Sequence, residues 1–324
     1  MISRTSRPHR SVATVAGLAA LTLVTGTACG DSQAGGTAAT GGKVPVVAST
    51  NVWASVAQAI GGDAVVVNAI LSDPGADPHG YEAKPADATA FAGAEVVVSN
   101  GGGYDDFITG LAEGVDARKV VAYELVQSPN PGASAEPAPA DAHGHAHGEV
   151  NEHVWYDLDT VHKVADKLAG ELSAVAPEHA ESFRVNAATF DKAIEDLAAR
   201  AEAIGRSKPG AKVLATEPVA AYLLSTAGLT DATPHEFTEA IEEESDPSAA
   251  AVAETEALVD GKQVVAVVYN SQTETPVTMR LKEKAAAAGI PIVGVTETLP
   301  QGVTGYVDWM TKQVDALAAA VAAA

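Results

Sequence analysis

SFRVNAATFDKAIEDLAARAEAIG, residues 182–205, is the stretch on which the fold turns. Phe183, Ala187, Phe190, Ile194, Leu197, Ala201 and Ile204 recur at alternating spacings of four and three. That rhythm places one apolar seam along a single helix. Pro177 helps to open it, and Pro209-Gly210 lies beyond its end. At about 1.5 Å per residue the helix spans roughly 35–40 Å, about the width of a domain.

On both sides of it the texture changes to short β-rich runs. Before it come VPVVAST, AVVVNAI, AEVVVSN and KVVAYE, separated by Ala-rich stretches such as VWASVAQAIGG and PADATAFAGA. After it come AKVLAT, a helix opened by Pro218, VVAVVYN, a helix from about Thr278, IPIVGV and a C-terminal helix. Strands alternating with helices imply parallel sheets covered on both faces. The expected architecture is therefore α/β: an N-terminal lobe over 44–177, a linking helix over 178–206 and a C-terminal lobe over 207–324. No sequence repeat relates the two lobes.

One segment breaks the pattern. Gln127–Val150 carries Pro129, Pro131, Pro137 and Pro139, then DAHGHAHGEV with His143, His145 and His147. Its composition predicts a disordered loop whose only chemistry is imidazole.

The N-terminus reads as separate from the fold. Arg4, Arg7 and Arg10 precede a weakly apolar run, Val12–Ala28, too short and too broken by Thr and Gly for a membrane span. Residues 1–28 read as a signal peptide. Cys29 is the chain's one cysteine, which excludes an intrachain disulfide. Small residues leading into it resemble a bacterial lipobox, with Gly26 where Leu is commonest. Cys29 is thus expected to be the lipid anchor, and residues 29–43 a flexible tether. The 324 residues carry a net charge of −22, and losing the three arginines with residues 1–28 takes it to −25. Such a surface argues against nucleic acid as a partner.

Four residues outside the His tract could carry chemistry. His79 sits in the turn-rich loop DPGADPHGYEAKPAD, stiffened by Pro78. His153, in NEHVWYDLDT, precedes a helix, and Trp155 and Tyr156 suggest that its segment docks on the body. Glu217 and Glu297 each follow a strand of the C-terminal lobe, at the carboxyl end where open α/β sheets gather ligands. Locally, each also reads as an ordinary surface, packed or helix-start residue. Two imidazoles with two carboxylates make a plausible divalent-metal set. EEESD, Glu242–Asp246, reads as a solvated loop or helix start.

Four segments together resemble the substrate-binding lipoproteins of bacterial zinc/manganese ABC importers. DPHGYEAKPAD is similar to that family's first ligand loop and EHVWYDLDTV to its second, usually HVWLDP. LATEPVAAYLLSTAGL resembles its third, strand–ligand–helix segment. VVYNSQTETPVTMRLKEKAAAAGIPIVGVTETLP resembles the last βαβ unit, which ends on an acidic ligand. The resemblance covers about residues 44–320. It implies two α/β lobes joined by one long rigid helix, with His79, His153, Glu217 and Glu297 holding a metal ion between them. The N-terminal lobe then supplies the two histidines and the C-terminal lobe the two glutamates.

It further implies an extracytoplasmic receptor, held to the outer face of the cell membrane by its lipid. It would be monomeric and hand its ion to an ABC permease and, through that, to an ATPase. Zinc members often have His where Glu217 stands, and manganese members often have Glu. The last ligand is usually Asp rather than Glu297, and NEHVW lacks the flanking Asp-Pro. The His-rich segment is typical of zinc members, so zinc is the expected cargo and manganese the second. His143, His145 and His147 are expected to capture metal and pass it inward. Two other readings stay open: a zinc-dependent hydrolase of the cell envelope, although no HExxH or GxSxG motif occurs, and a surface adhesin.

Overall fold

A computed structural model describes residues 42–75, 80–127 and 151–324, which lie in one compact unit, Thr37–Ala324. His79, Cys29, the His143–His147 tract and the signal and tether segments lie outside the described residues. The first half runs β1 (Val44–Thr50), α1 (Asn51–Gly61), β2 (Val65–Leu71), α2 (Pro85–Ala90), β3 (Val96–Ser99), α3 (Phe107–Leu111) and β4 (Arg118–Val121). After α4 (Leu158–Val175) comes the long α5 (Ala180–Ser207). The second half follows as β5 (Lys212–Ala215), α6 (Ala221–Thr226), β6 (Thr230–Asp231), α7 (His235–Glu242), α8 (Ala249–Asp260), β7 (Ala266–Asn270), α9 (Pro276–Ala288), β8 (Ile292–Val295) and α10 (Tyr306–Ala323).

The two four-stranded sheets are parallel throughout and share one topology, β2-β1-β3-β4 and β6-β5-β7-β8. In each, strand order reverses beside the first strand of the half, which puts a crevice at the carboxyl ends of β1/β3 and of β5/β7. The halves thus repeat in topology where the sequence shows no repeat.

Strand alternation sorts the core. Val46, Ala48, Val96 and Val98 face one way and join Val213, Ala215, Ala266, Val268, Val293 and Val295 in a single core that runs through both halves. Val47 and Val97 face the other way, against Phe91 and Ile108 of the first half's outer layer. Leu214 and Val267 likewise face Phe237, Ile241 and Leu281 in the second half. This period-two division is what a strand covered on both faces requires.

The long helix is as the apolar seam dictates. Its buried residues are Phe183, Ala187, Phe190, Ile194, Leu197, Ala201 and Ile204, the seven of the seam. It runs 28 residues, about 42 Å at 1.5 Å per residue. It packs against α1 and α4 of the first half and α10 of the second. Near its end Gly205 lets the chain approach closely, since a Cβ there would lie 2.4 Å from the Ala227 carbonyl oxygen. No helix among the described residues is long and apolar enough to cross a membrane.

If the shared core carries the stability, position along α5 decides the cost of truncation. Phe183→Ala should destabilise by about 3–5 kcal/mol. Val185→Ala, at a side chain 51% exposed, should stay within about 0.5 kcal/mol. Urea unfolding of the two variants checks this.

Candidate metal centre

Most buried polar groups collect where the two sheets end. Ser49 and Thr50 close β1, Ser99 and Asn100 close β3, Thr216 and Glu217 follow β5, Asn270 ends β7, and Glu297 and Thr298 follow β8. Asn151, Glu152 and His153 are buried with them. The two sets of strand ends face each other through hydrogen bonds. Asn51 accepts from Leu299 N at 2.9 Å and donates to its carbonyl at 3.2 Å. Gln272 Nε2 and Thr298 Oγ1 both donate to the Pro74 carbonyl, at 3.0 and 3.2 Å. Tyr156 and Tyr306 hydroxyls cross in opposite senses, to the Thr296 and Trp155 carbonyls at 2.9 and 2.6 Å.

Glu217 leaves β5 in extended conformation (φ −151°, ψ 162°), just before Pro218 turns the chain into a short 3-10 segment. Thr216 fixes that exit: its N–H donates to the Val268 carbonyl at 2.9 Å, and its hydroxyl accepts from Asn270 N at 3.0 Å. The Asn270 side-chain amide then donates to both carboxylates, Glu217 Oε2 at 2.7 Å and Glu297 Oε1 at 2.9 Å. The Thr273 hydroxyl donates to Glu217 Oε1. The Gln272 side-chain oxygen accepts from the backbone N–H of Glu297 and, at 3.3 Å, of Thr298. Three strand ends are thus tied to two adjacent buried carboxylates.

His153 comes from the other half. Its backbone N–H and its Nδ1 both donate to Asn151 Oδ1, at 3.0 and 2.9 Å. Asn151 Nδ2 donates to the Pro218 carbonyl at 3.1 Å, which fixes the amide's orientation. Its oxygen therefore faces the ring, and Nδ1 carries the proton. The lone pair sits on Nε2, 3.8 Å from Glu242 Oε1. A carbonyl oxygen holding a ring nitrogen is the usual way a ligating imidazole is oriented. Tyr104 and Trp155 pack around the ring, at centroid distances of 6.1 and 5.2 Å.

Of the four residues expected to act together, His153, Glu217 and Glu297 are all buried at the facing strand ends, and His79 lies outside the described residues. Glu242 corrects the reading of 242–246 as solvent-facing. Glu243–Asp246 are exposed, but Glu242 turns inward with its side chain 20% exposed. Glu152, His153 and Glu242 offer ligand atoms within 4.8 Å of one another. Burial, then the negative fields of Glu152, Glu217, Glu297 and Glu243, push the Glu242 carboxyl well above the usual carboxylate range. Two signals were available in the sequence. Thr238 and Glu242 lie one turn apart on α7, beside the buried Phe237 and Ile241. Asn270 closes a wholly buried strand, the position that marked Glu217 and Glu297.

A second group, His162, Asp166 and Asp191, bridges α4 and α5. His162 and Asp166 are 39% and 64% exposed there, the setting of an ordinary surface ion-pair cluster.

Residues 46–320 match the family model described as ZnuA, Zinc-uptake complex component A periplasmic. The manganese-binding lipoprotein MntA of Bacillus subtilis (strain 168) is 27% identical over 176 residues, 53% of this chain and 52% of its own length. The zinc-binding lipoprotein AdcA of Streptococcus pneumoniae (strain ATCC BAA-255 / R6) is 25% identical over 285 residues, 85% of this chain and 55% of its own. The chain thus spans about half the length of the curated relatives it matches. Among solved structures, the periplasmic zinc-binding protein TroA of Treponema pallidum aligns with a TM-score of 0.69 at 18% identity. FpvC of Pseudomonas aeruginosa, in complex with Mn2+, aligns with 0.68 at 20% identity. Each alignment covers 86% of this chain and 99% of the other, and shows the fold.

The Asn270 amide can be tested without any metal. Hydrogen bonds to charged groups contribute about 1.5–3 kcal/mol each. Asn270→Ala should therefore destabilise the chelator-treated protein by roughly 3 kcal/mol in urea unfolding. A loss below about 1 kcal/mol would show that the two carboxylates do not depend on it.

Proposed function

The chain belongs to the ZnuA family of periplasmic zinc-uptake components, and from that premise we propose that it is an extracytoplasmic receptor that captures a divalent transition-metal ion for an ABC importer. His79, His153, Glu217 and Glu297 hold the ion between the two halves. The observation that carries this reading is the burial of His153, Glu217 and Glu297 at facing strand ends, with Nε2 of His153 directed inward. Zinc and manganese are the two candidate cargoes, since imidazole with carboxylate suits both. The two relatives named above as zinc- and manganese-binding lipoproteins support the same pair. The chain acts as a monomeric carrier rather than a catalyst, anchored outside the membrane through Cys29. It passes its ion to a permease coupled to an ATPase.

Chelator-stripped protein should gain stability on adding zinc or manganese, by about 4 kcal/mol at a thousandfold excess over Kd. Thermal unfolding reads this as a rise in Tm. His153→Ala and His79→Ala should each lose most of that rise, and a flat wild-type response to both metals would remove the receptor reading. Ligating imidazoles must be neutral, so affinity should fall as pH drops through about 6.5.

The tract with His143, His145 and His147 acts as an auxiliary metal scavenger, supported by its imidazole-rich composition. Deleting residues 137–148 should reduce growth-supporting uptake at scarce zinc while leaving the Kd of the purified protein unchanged. Unchanged uptake would sink that role.

A further inference from the structure

Glu242 breaks three local rules at once. It is the last residue of α7, where the helix dipole disfavours a carboxylate. Its side chain is four-fifths buried, and a buried charge is costly unless it is compensated. The other acid within reach, Glu152, carries the same sign: ligand atoms of Glu152, His153 and Glu242 lie within 4.8 Å of one another. Local rules broken together in a folded protein mark a functional position, and a positive charge bound beside Glu242 would relieve all three.

The geometry says where that charge sits. Asn151 occupies Nδ1 of His153, so Nε2 is the nitrogen that points at Glu242. The 3.8 Å between Nε2 and Oε1 is too long for a hydrogen bond. It suits two donors of one ion: atoms each about 2.1 Å from a metal and about 110–130° apart lie about 3.4–3.8 Å from each other. The contact also crosses the molecule, since His153 precedes α4 in the first half and Glu242 ends α7 in the second.

We propose that Glu242 is an additional oxygen ligand of the transported ion and the residue that tips the site from zinc toward manganese or iron(II). The proposal rests on the receptor reading above. Adding Glu242 to Glu217 and Glu297 gives three carboxylates from the second half. Zinc is satisfied by four donors in tetrahedral array, whereas a hard ion with a preference for oxygen gains from a fifth. A third carboxylate therefore strengthens manganese binding more than zinc binding.

The test is competition titration of chelator-stripped full chain with manganese and with zinc, for the wild type, Glu242→Gln and Glu243→Gln. Glu243 is exposed and acts on Glu242 only through its field, so it controls for charge alone. Glu242→Gln should lower manganese affinity at least about tenfold and zinc affinity by less than about threefold, as expected for a change in a metal's coordination. Glu243→Gln should leave both within about twofold. In the cobalt(II)-loaded protein, Glu242→Gln should shift the visible absorption toward the more intense four-coordinate form. Its melting temperature in chelator should stay close to wild type, because the amide keeps the shape of the carboxyl it replaces. Glu242→Ala repeats the comparison if the Gln variant folds poorly. A manganese loss below tenfold, or one no larger than the zinc loss, overturns the proposal. A wild type that binds neither metal instead overturns the receptor reading on which it stands.

Discussion

One amide holds two buried carboxyl groups in place. Asn270 Nδ2 donates to Glu217 at 2.7 Å and to Glu297 at 2.9 Å, and neither carboxylate is more than 4% exposed. Two adjacent buried carboxylates repel when both are ionised, and an amide with two hydrogens can orient them but cannot neutralise them. On the receptor reading proposed above, the arrangement is preorganised for a cation: the donors are aimed before the ion arrives. Everything around it serves that aim. Thr216 locks the β5 exit to β7, Gln272 locks the backbone at Glu297, and Asn151 locks the tautomer of His153.

The core explains why the donors stay aimed. Both sheets turn one face into a single hydrophobic cluster that also takes in α1, α4, α5 and α10. Opening the halves as rigid bodies would expose part of that cluster, at a cost of about 25 cal/mol for each Å2 of apolar surface. The paired crossings at Asn51–Leu299, Tyr156–Thr296 and Tyr306–Trp155 add further ties. A wide hinge motion is disfavoured, and small displacements of loops and short elements are what the construction permits.

Much of this was legible in the residues. The seam of α5 is a periodicity of seven side chains, and periodicity survives because one helix face must meet one core. The strands read as apolar runs because sheets covered on both faces tolerate little else. Glu217 and Glu297 stood out as acids directly after such runs. The repeated strand order was hidden, because topology constrains which positions are apolar but not which apolar residue fills them. Glu242 was obscured, though not wholly hidden, for a different reason. It heads a run of acids, EEESD, and composition averages over a stretch in which one carboxylate points inward and its neighbours point out.

That residue sits on a helix packed outside the core that joins the halves. Phe237 and Ile241 anchor α7 to the outer cluster of the second half, with Leu214 and Val267, and not to the core that joins the halves. The helix is only eight residues long and ends at Glu242, so a small tilt would displace its last carboxylate while Glu217, Glu297 and His153 kept their own hydrogen bonds. With Glu242 as the proposed extra ligand, the number of donors around the ion would thus change by one without disturbing the shared core. A carrier must hold its cargo tightly and then release it. In the proposed carrier, where wide opening is disfavoured, varying one outer ligand would meet both demands, because losing one oxygen donor weakens the hold on a hard ion while leaving the other donors in place.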